Sequence, residues 1–455
     1  MVKISTFLCV FCLVMPAAFF AMHADNHLNN NNFLSKTHSS DSIKNTKSLS
    51  FHFGTSKASK GIAIHKPIVY DAHTGFGFDF NSSFKVKINT NSFSAEKPTY
   101  FSVQLPEGNY QVEVTMGSNE KTSNVSIKAE SRRLMVNQFS VPKGQKITKT
   151  FNINVRTPKI DDQLNVILKD REKDILDWDD KLTLEFLGEV SIQNIKITAK
   201  DNLTVVYLAG DSTLTDQDVE PWASWGQFIT NYFDDSIVVA NYAYSGSSLS
   251  SFKNGNRLKK ILTQIKKGDY LFVEFGHNDE KIKGEGNGAW GSYSNLLTEF
   301  VQSAKEKGAI PVLVTPTQRR FFNENGALKE THGEFPAAMR TVAQKNNIAL
   351  IDITKMTTEL YEAWGDEPSR KAFVQYPANT FPGQEKTLDD NTHFNSFGAN
   401  EIALCVLKGI RELDIPLKKQ IKKETPTYDP KKPNYISSWT LPMSDRFEIT
   451  KPDGN

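Results

Sequence analysis

Four short segments of this sequence carry residue types that together can break an ester bond. They contain Ser212 in a Gly-Asp-Ser-Thr run, Gly246 in Ser-Gly-Ser, Asn278 in Gly-His-Asn-Asp, and Asp390 and His393 in Asp-Asn-Thr-His. A serine hydroxyl becomes a nucleophile when a base removes its proton, and His393 can be that base if Asp390 holds its tautomer. The backbone N–H groups of Ser212 and Gly246 and the side-chain amide of Asn278 can stabilise the oxyanion that forms. These residue types therefore predict acyl transfer through an acyl-enzyme.

Each segment also has a purely structural explanation when it is taken alone. A Gly-Asp-Ser run after a strand commonly forms a turn or a helix cap, and an Asp-x-x-His pair commonly forms a surface cap. His277 and His332 are alternative bases. Asp279 lies two positions after His277, but neither alternative has the Asp-x-x-His spacing. The catalytic interpretation is favoured because the four segments occur together and in order.

The elements after residue 200 can bring these segments to one edge of a sheet. Apolar runs typical of strands alternate with runs of helical periodicity, which predicts an α/β domain over 201–417 with a doubly wound, mostly parallel five-stranded sheet. The predicted strands are Leu203–Ala209, Ile237–Asn241, Tyr270–Phe275, Ile310–Thr315 and Ile348–Ile353, and the predicted helices are Trp222–Phe233, Leu258–Lys266, Tyr293–Lys307, Glu334–Asn346 and Phe397–Leu413. Ligands of such sheets bind beyond the carboxyl ends of the strands. The serine, glycine and asparagine segments follow the first three strands, and the Asp-His pair lies in the loop before the last helix.

An all-β sandwich is predicted over residues 51–200, ahead of the α/β domain. Short runs alternate between apolar and polar residues and are separated by turns that contain Pro and Gly, which is typical of paired strands. These runs are 84–88, 100–103, 110–114, 125–127, 150–155 and 182–186. An acidic stretch holds Asp161, Asp162, Asp177, Asp179 and Asp180, where a calcium site is an alternative to solvated loop charges. Residues 418–455 are expected to form an irregular tail.

The first residues have the layout of an export signal. Lys3 is followed by an apolar run over 4–20 and then by small residues, which predicts a secretory signal peptide over 1–24. The Asn-, Ser- and Lys-rich stretch 25–50 is predicted to be a disordered leader. No later run reaches ~18 apolar residues, so we expect no membrane span. The protein is therefore expected to be exported, to the periplasm or to the extracellular space.

The composition excludes several other classes of protein. The 455 residues carry 54 Lys and Arg against 52 Asp and Glu, and this net charge of +2 does not favour nucleic acid as a partner. Three cysteines without a C-x-x-C pair exclude a disulfide scaffold, a zinc ribbon and a thioredoxin-like redox site. The sequence has no G-x-S-x-G, no P-loop and no H-E-x-x-H. We therefore expect no cofactor and no metal, and the composition predicts no particular oligomeric state.

The stretches that hold the four segments match a known family. They are VVYLAGDST, NYAYSGSSLSSF, FVEFGHNDE and DDNTHFNSFGANEIA, with GAIPVLVTP before the last of them. With these stretches the sequence resembles the SGNH/GDSL-type hydrolases, and most of all the bacterial rhamnogalacturonan acetylesterases. The resemblance implies a flavodoxin-like α/β fold and the roles given above to Ser212, Gly246, Asn278, Asp390 and His393. Many members have an arginine directly after the glycine of the second segment, where this chain has Ser247. The β-rich region resembles the galactose-binding-like sandwich that precedes the catalytic domain in some bacterial members.

The substrate is predicted from charge as well as from the resemblance. The GDSL-type scaffold serves lipid, carbohydrate and thioester substrates. The sequence has no long apolar lid segment near the motifs, which argues against a lipid substrate. Lys281, Lys283, Arg319 and Arg320 follow the third and fourth strands, where they can pair with carboxylates of an acidic polymer. We therefore expect a carbohydrate acetylesterase acting on acetylated pectic polysaccharide, with rhamnogalacturonan as the expected polymer. The alternatives are an esterase of another acylated glycan or of a lipid, and a non-catalytic carbohydrate-binding protein.

Overall fold

Eleven strands form the N-terminal region of this computed structural model, which describes residues 47–56 and 61–453. They are β1 (Ser48–Phe53), β2 (Ile62–Ile64), β3 (Phe76–Asp79), β4 (Lys87–Ile88), β5 (Phe93–Ala95), β6 (Thr99–Gln104), β7 (Gly108–Met116), β8 (Ser123–Ala129), β9 (Arg133–Val141), β10 (Ile147–Val155) and β11 (Lys181–Ala199). The alternation seen in the sequence is an alternation of burial: in β7, Tyr110, Val112 and Val114 are buried and the residues between them are not. The predicted signal peptide, and the predicted leader up to position 46, lie outside the described residues. The prediction of disorder is wrong for the last residues of the leader, because β1 begins at Ser48, before the predicted boundary at 51, and pairs with β11.

The long strand β11 joins the two layers of this region. Its first part, up to Glu189, pairs with β6 and β8, and its second part, from Val190, pairs with β5, β7 and β1, all antiparallel. The inward-facing side chains of both layers share one apolar cluster, in which the rings of Phe53, Phe78 and Phe101 lie within 6.1 Å of one another. The predicted all-β sandwich is confirmed.

The run from Phe84 to Ile88 differs from its prediction as a strand. Residues Ser83–Lys85 form a 3₁₀ helix instead, and only Lys87–Ile88 pair as β4. The Phe84 side chain is 80% exposed, so its apolar character does not mark a core position here.

A five-stranded parallel sheet forms the second region, with the predicted topology. Its strands are β12 (Thr204–Gly210), β13 (Ile237–Asn241), β14 (Tyr270–Glu274), β15 (Ile310–Val314) and β16 (Ala349–Ile351), in the spatial order β13-β12-β14-β15-β16. Val206 and Leu208 of β12 face one apolar cluster, and Val205 and Tyr207 face the other. Since both faces are covered, the interior positions of the strands are apolar, and polar residues such as Thr204, Asn241 and Glu274 stand only at strand ends. The strand that follows β12 in the chain, β13, lies on one side of it, and the next strand, β14, lies on the other side. Sheets of this kind bind ligands at such a switch in strand order, here between β12 and β14.

Eight α-helices cover this sheet or close its edge within the described residues. They are α1 (Trp225–Ile229), α2 (Leu249–Asn254), α3 (Arg257–Gln264), α4 (Ser294–Glu306), α5 (Phe335–Asn346), α6 (Ile353–Trp364), α7 (Asp366–Ser369) and α8 (Ser396–Glu412). An antiparallel pair, β17 (Phe373–Tyr376) and β18 (Leu388–Phe394), precedes α8. In the described ranges, no helix is both long and apolar enough to cross a membrane.

Buried ion pairs join the two regions at the loop that follows β12. Arg133 Nε lies 2.5 Å from Asp216 Oδ2, and Arg133 Nη2 lies 2.8 Å from Asp177 Oδ1. Glu220 forms ion pairs with Lys128 Nζ, at 3.1 Å, and with a guanidinium nitrogen of Arg132. All of these side chains are at most 3% exposed. The β region therefore fixes the position of the loop that begins with Ser212.

Candidate active site

Ser212 lies two residues beyond the end of β12, an inner strand, at the carboxyl edge of the sheet. A methyl group at Gly210 would stand 2.7 Å from the Glu274 carbonyl of the neighbouring strand and 2.6 Å from the Leu214 side chain. Glycine therefore lets the chain turn tightly against β14. The turn buries Ser212, which is 3% exposed, with its hydroxyl directed at a histidine.

The predicted triad is assembled in the structure. His393 Nε2 lies 2.9 Å from Ser212 Oγ, and His393 Nδ1 lies 2.8 Å from Asp390 Oδ2. The Trp222 ring stands edge-on to the imidazole at 90°, with 5.8 Å between the ring centres. These contacts hold the imidazole between a hydroxyl and a carboxylate, which is the arrangement that general-base activation of a serine requires.

A local irregularity of the β17–β18 pair presents Asp390 and His393 together. Phe373 pairs with Phe394 and Gln375 with Asp389, so the four residues 390–393 face only one residue of β17 and bulge outwards. Asp390 Oδ1 accepts hydrogen bonds from the backbone N–H groups of Thr392, at 2.7 Å, and His393, at 2.8 Å. The sequence places the Asp-His pair in the loop before the last helix, where its spacing allows one turn to present both side chains. The turn exists, but it interrupts a strand.

The hydrogen bonds around Asp390 keep its carboxyl ionised. Burial alone would raise the pKa of this carboxyl, but the His393 ring and the two backbone N–H groups hold the pKa well below its usual range. Lys451 Nζ adds a positive charge 3.2 Å from Asp390 Oδ2. The carboxylate therefore remains available to accept a hydrogen bond from the Nδ1–H group of His393 at any pH near neutrality.

Gly246 and Asn278 follow β13 and β14, so their segments lie at the same carboxyl edge as Ser212. Gly246 has φ +77°, a backbone conformation that favours glycine. Asn278 Nδ2 donates to the carbonyl of Ser247 at 2.9 Å, and Lys281 Nζ donates to Asn278 Oδ1 at 3.3 Å. An amide group has two N–H donors, so one donor of Asn278 holds the glycine segment and the other is left for a ligand.

Asp279 connects these two segments a second time. Its Oδ1 accepts the backbone N–H of Leu249, at the start of α2, at 3.0 Å. Burial, with the negative charge of Asp211 nearby, raises the pKa of Asp279 to about 7. In the sequence, Asp279 is notable only as a neighbour of His277. In the structure it is a positioning residue of the second segment.

Two further carboxyl groups lie beneath the serine and were not identified from the sequence. Asp211 Oδ1 accepts from the Thr213 backbone N–H at 3.0 Å and from its hydroxyl at 2.9 Å. Glu274 Oε2 accepts from Trp225 Nε1 at 2.7 Å. Burial, reinforced by the Asp211 charge, raises the pKa of Glu274 well above its ordinary value. The signal that marks them is position, since Asp211 directly precedes the serine and Glu274 ends the strand beside it.

The structure does not direct the two alternative bases at the serine. His277 Nε2 lies 3.3 Å from the Thr317 hydroxyl, and burial lowers the pKa of its imidazole well below the ordinary value. His332 Nδ1 lies 2.9 Å from Glu280 Oε2, and its Nε2 lies 2.8 Å from the Thr317 carbonyl. Both histidines are therefore parts of an internal hydrogen-bonded cluster.

The expectation that Arg319 and Arg320 are available to a polymer does not hold. Arg319 Nη2 lies 2.5 Å from Glu280 Oε1, and Arg320 bonds to Asp366 and, at 2.8 Å, to the Asn391 side chain. Their side chains are only 11% and 5% exposed. Buried guanidinium groups require such internal partners, so these arginines stabilise the loops around the site. Lys281 contacts Asn278 and remains a predicted substrate residue.

One carboxylate of the acidic stretch, that of Asp177, has two arginines as partners. Asp177 is buried against Arg133 and Arg156, which use its charge. Within residues 47–56 and 61–453, no group of three or more His, Cys, Asp or Glu side chains is arranged to hold a metal ion.

A parallel α/β sheet that carries a Ser-His-Asp arrangement at its topological switch point defines the serine-dependent hydrolases of this fold. The model of the GDSL-like lipase/acylhydrolase family matches residues 208–399, which include all four segments. Rhamnogalacturonan acetylesterase RhgT of Bacillus subtilis (strain 168) is 43% identical over 215 residues, which cover 47% of this chain and 92% of that protein. The chain therefore belongs to the GDSL-like lipase/acylhydrolase family, and it is an esterase. The resemblance found in the sequence is confirmed.

Two further relatives match different portions of the chain. Probable rhamnogalacturonan acetylesterase YesY of the same organism is 37% identical over 222 residues, covering 48% of this chain and 98% of that protein. Uncharacterized esterase YxiM, also of B. subtilis, is 25% identical over 386 residues, covering 81% of this chain and 92% of that protein. A crystal structure of YxiM covers 81% of this chain and 99% of that chain, at 22% identity and a TM-score of 0.44.

Proposed function

We propose that this protein is an exported serine esterase that removes O-acetyl groups from pectic polysaccharide, rhamnogalacturonan in particular. The observation that carries the chemistry is the continuous line of hydrogen bonds from Asp390 through His393 to Ser212. The substrate is supported by the names of the relatives RhgT and YesY, whose lengths the chain covers almost completely. The signal peptide predicted over residues 1–24 fits a polymeric substrate outside the cell.

The first half of the reaction transfers the acetyl group to the enzyme. Ser212 Oγ attacks the acetyl carbonyl while His393 Nε2 takes the hydroxyl proton, and the carbonyl oxygen becomes an oxyanion. Asp390 stabilises the imidazolium through Nδ1. When the C–O bond to the sugar breaks, His393 gives its proton to the departing sugar oxygen. The products of this half are a free sugar hydroxyl and an acetyl-serine.

The second half repeats the same steps with water. His393 Nε2 takes a proton from water, whose oxygen attacks the acetyl-serine, and the imidazole then returns a proton to Ser212 Oγ as acetate leaves. In both halves the oxyanion accepts hydrogen bonds from the backbone N–H groups of Ser212 and Gly246 and from the free side-chain N–H of Asn278. Each donor is held by its segment before the substrate arrives, so no reorganisation is needed when the charge develops.

Acetate release from acetylated rhamnogalacturonan tests the proposal. Wild type, Ser212→Ala and the matched control Ser437→Ala, an exposed serine far along the chain in the tail, are compared on this polymer, on acetylated xylan and on p-nitrophenyl acetate. We expect release from rhamnogalacturonan by wild type and Ser437→Ala, and none by Ser212→Ala. Turnover of p-nitrophenyl acetate alone would retain the serine mechanism and refute the pectic substrate, and preference for xylan would reassign the glycan.

A further inference from the structure

Two basic side chains from the β region stand beside the glycine segment of the active site. Lys169 and Arg171 flank the start of a 3₁₀ helix over Asp170–Glu172, in the chain between β10 and β11. Lys169 Nζ donates to the carbonyl of Ser245 at 2.9 Å. A methyl group built on Gly246 would lie 3.1 Å from the same Nζ. The ammonium group is therefore next to a residue that we assign to the oxyanion site.

A carboxylate of the chain itself lies between these two cations. Asp453 Oδ2 is 3.0 Å from Lys169 Nζ, and Asp453 Oδ1 is 3.1 Å from Arg171 Nη1. Its Cβ would be 2.8 Å from a methyl group at Gly246, so the segment that carries it passes directly over the glycine. Each carboxylate oxygen pairs with its own cation. Two such contacts fix the orientation of a bound carboxylate, and proteins commonly recognise carboxylates in this way.

Buried groups support Lys169, the first residue of the basic pair. Glu172 Oε2 accepts the backbone N–H of Lys169 at 3.0 Å, and the same carboxylate bonds to buried Arg257 at 2.5 and 2.6 Å. The Arg257 guanidinium lies 4.0 Å from the centre of the Tyr244 ring, and Lys169 Nζ lies 5.1 Å from it. These contacts, together with the hydrogen bond to the Ser245 carbonyl, position Lys169 independently of Asp453.

The pair is also accessible, unlike the two arginines that were expected to bind substrate. The side chains of Lys169 and Arg171 are 38% and 36% exposed, and both line a cavity of about 110 Å³. Trp222, which contacts the His393 ring, lines the same cavity. A sugar unit held at the basic pair would therefore lie beside the catalytic histidine.

We propose that Lys169 and Arg171 form a carboxylate subsite for an acidic sugar of the polysaccharide, and that Asp453 occupies this subsite in the free enzyme. The identity of the sugar rests on the proposed function, since pectic polymers carry uronate carboxylates. A substrate carboxylate displaces that of Asp453 and takes over its two ion pairs. The subsite makes the β region a part of substrate recognition and not only a support of the active-site loop.

Inhibition of p-nitrophenyl acetate hydrolysis by unacetylated trigalacturonate tests this subsite without requiring turnover of any polymer. Ki is measured for wild type, the double variant Lys169→Gln/Arg171→Gln, Asp453→Asn, and the control Lys173→Gln, an exposed lysine that pairs with Asp170 just beyond the same 3₁₀ helix. Xylotriose serves as the neutral probe of equal length. Each Ki refers to the variant's own uninhibited rate, and calorimetric titration with trigalacturonate replaces it for a variant that does not turn over.

The proposal predicts opposite effects from the two sides of the ion pairs. The double variant should raise the Ki of trigalacturonate about tenfold or more, because two charge-assisted contacts are lost. Asp453→Asn should lower the Ki because the competing charge is removed, and Lys173→Gln and the xylotriose values should not change. Equal Ki in wild type and double variant, or no effect of Asp453→Asn, would overturn the subsite. Failure of wild type to deacetylate rhamnogalacturonan would instead refute the proposed function.

Discussion

Replacement of Asp390 by asparagine should abolish activity with little change of shape. The asparagine oxygen can still accept the two backbone N–H bonds from Thr392 and His393 that Asp390 Oδ1 accepts now. Its NH₂ group then faces His393 Nδ1 at the position where Oδ2 lies 2.8 Å away. Since an amide nitrogen donates and cannot accept, Nδ1 must lose its proton, and the imidazole carries its proton on Nε2.

The consequence falls on the serine. Nε2 lies 2.9 Å from Ser212 Oγ and, once protonated, cannot take the hydroxyl proton. The same change of tautomer in a Ser-His-Asp triad lowers kcat about 10⁴-fold, which corresponds to roughly 5 kcal/mol of transition-state stabilisation. We expect a loss of this size for Asp390→Asn on p-nitrophenyl acetate.

The assay compares kcat and thermal unfolding of Asp390→Asn with those of wild type and of Asp389→Asn. Asp389 is the adjacent exposed carboxylate, so its variant controls for the loss of one negative charge in the same strand. The account requires an inactive but folded Asp390→Asn and an active Asp389→Asn. If folded Asp390→Asn kept more than a tenth of the wild-type kcat, the assigned tautomer and the role of Asp390 would be refuted.

Three other perturbations follow from the same structure. Asn278→Ala removes one oxyanion donor and should lower kcat about 10²–10³-fold, with Asn287→Ala, in an exposed loop, as the control; an unchanged kcat would remove Asn278 from the oxyanion site. Arg133→Met leaves the buried carboxylate of Asp216 without its cation and leaves Asp177 with only Arg156, at 3.5 Å. It should lower the free energy of unfolding by about 3–5 kcal/mol, measured by urea denaturation, and a loss below about 1 kcal/mol would contradict the anchoring of the serine loop. The pKa of Asp390 in the folded state lies well below its ordinary value, so the stabilising contribution of this carboxylate is fully present above the unfolded pKa of about 3.9 and is lost as the pH falls further. The difference in unfolding free energy between wild type and Asp390→Asn should therefore be constant above about pH 5 and shrink below about pH 4. A difference that grew on acidification would contradict this prediction.

The parts of the site that the sequence predicts are those set by strand order. Ser212, Gly246 and Asn278 follow apolar runs that alternate with helical runs, a pattern typical of buried parallel strands, and such strands end at a common edge. Asp390 and His393 are separated by three positions, so a single turn brings them together wherever that turn lies. The α/β topology and the triad follow from these local signals.

Other features depend on contacts between distant parts of the chain. Arg319 and Arg320 are adjacent charged residues of the kind that usually lies on the surface. In the structure they are buried in ion pairs with Glu280 and Asp366, and nothing in the sequence indicates these pairs. Lys169 and Asp453 are 284 positions apart, so their ion pair cannot be inferred from spacing. Helix α6 is absent from the predicted elements, although apolar residues at helical spacing follow Asp352, which caps it.

Labelling of the nucleophile is the most direct test of the mechanism. Wild type is inactivated with a fluorophosphonate, which reacts with activated serines, and the modified residue is located by peptide mass spectrometry. The structure predicts one adduct per chain, on Ser212, formed in proportion to the loss of p-nitrophenyl acetate hydrolysis and absent from Ser212→Ala. Inactivation with the adduct on another residue, or full labelling of Ser212 without loss of activity, would contradict Ser212 as the nucleophile.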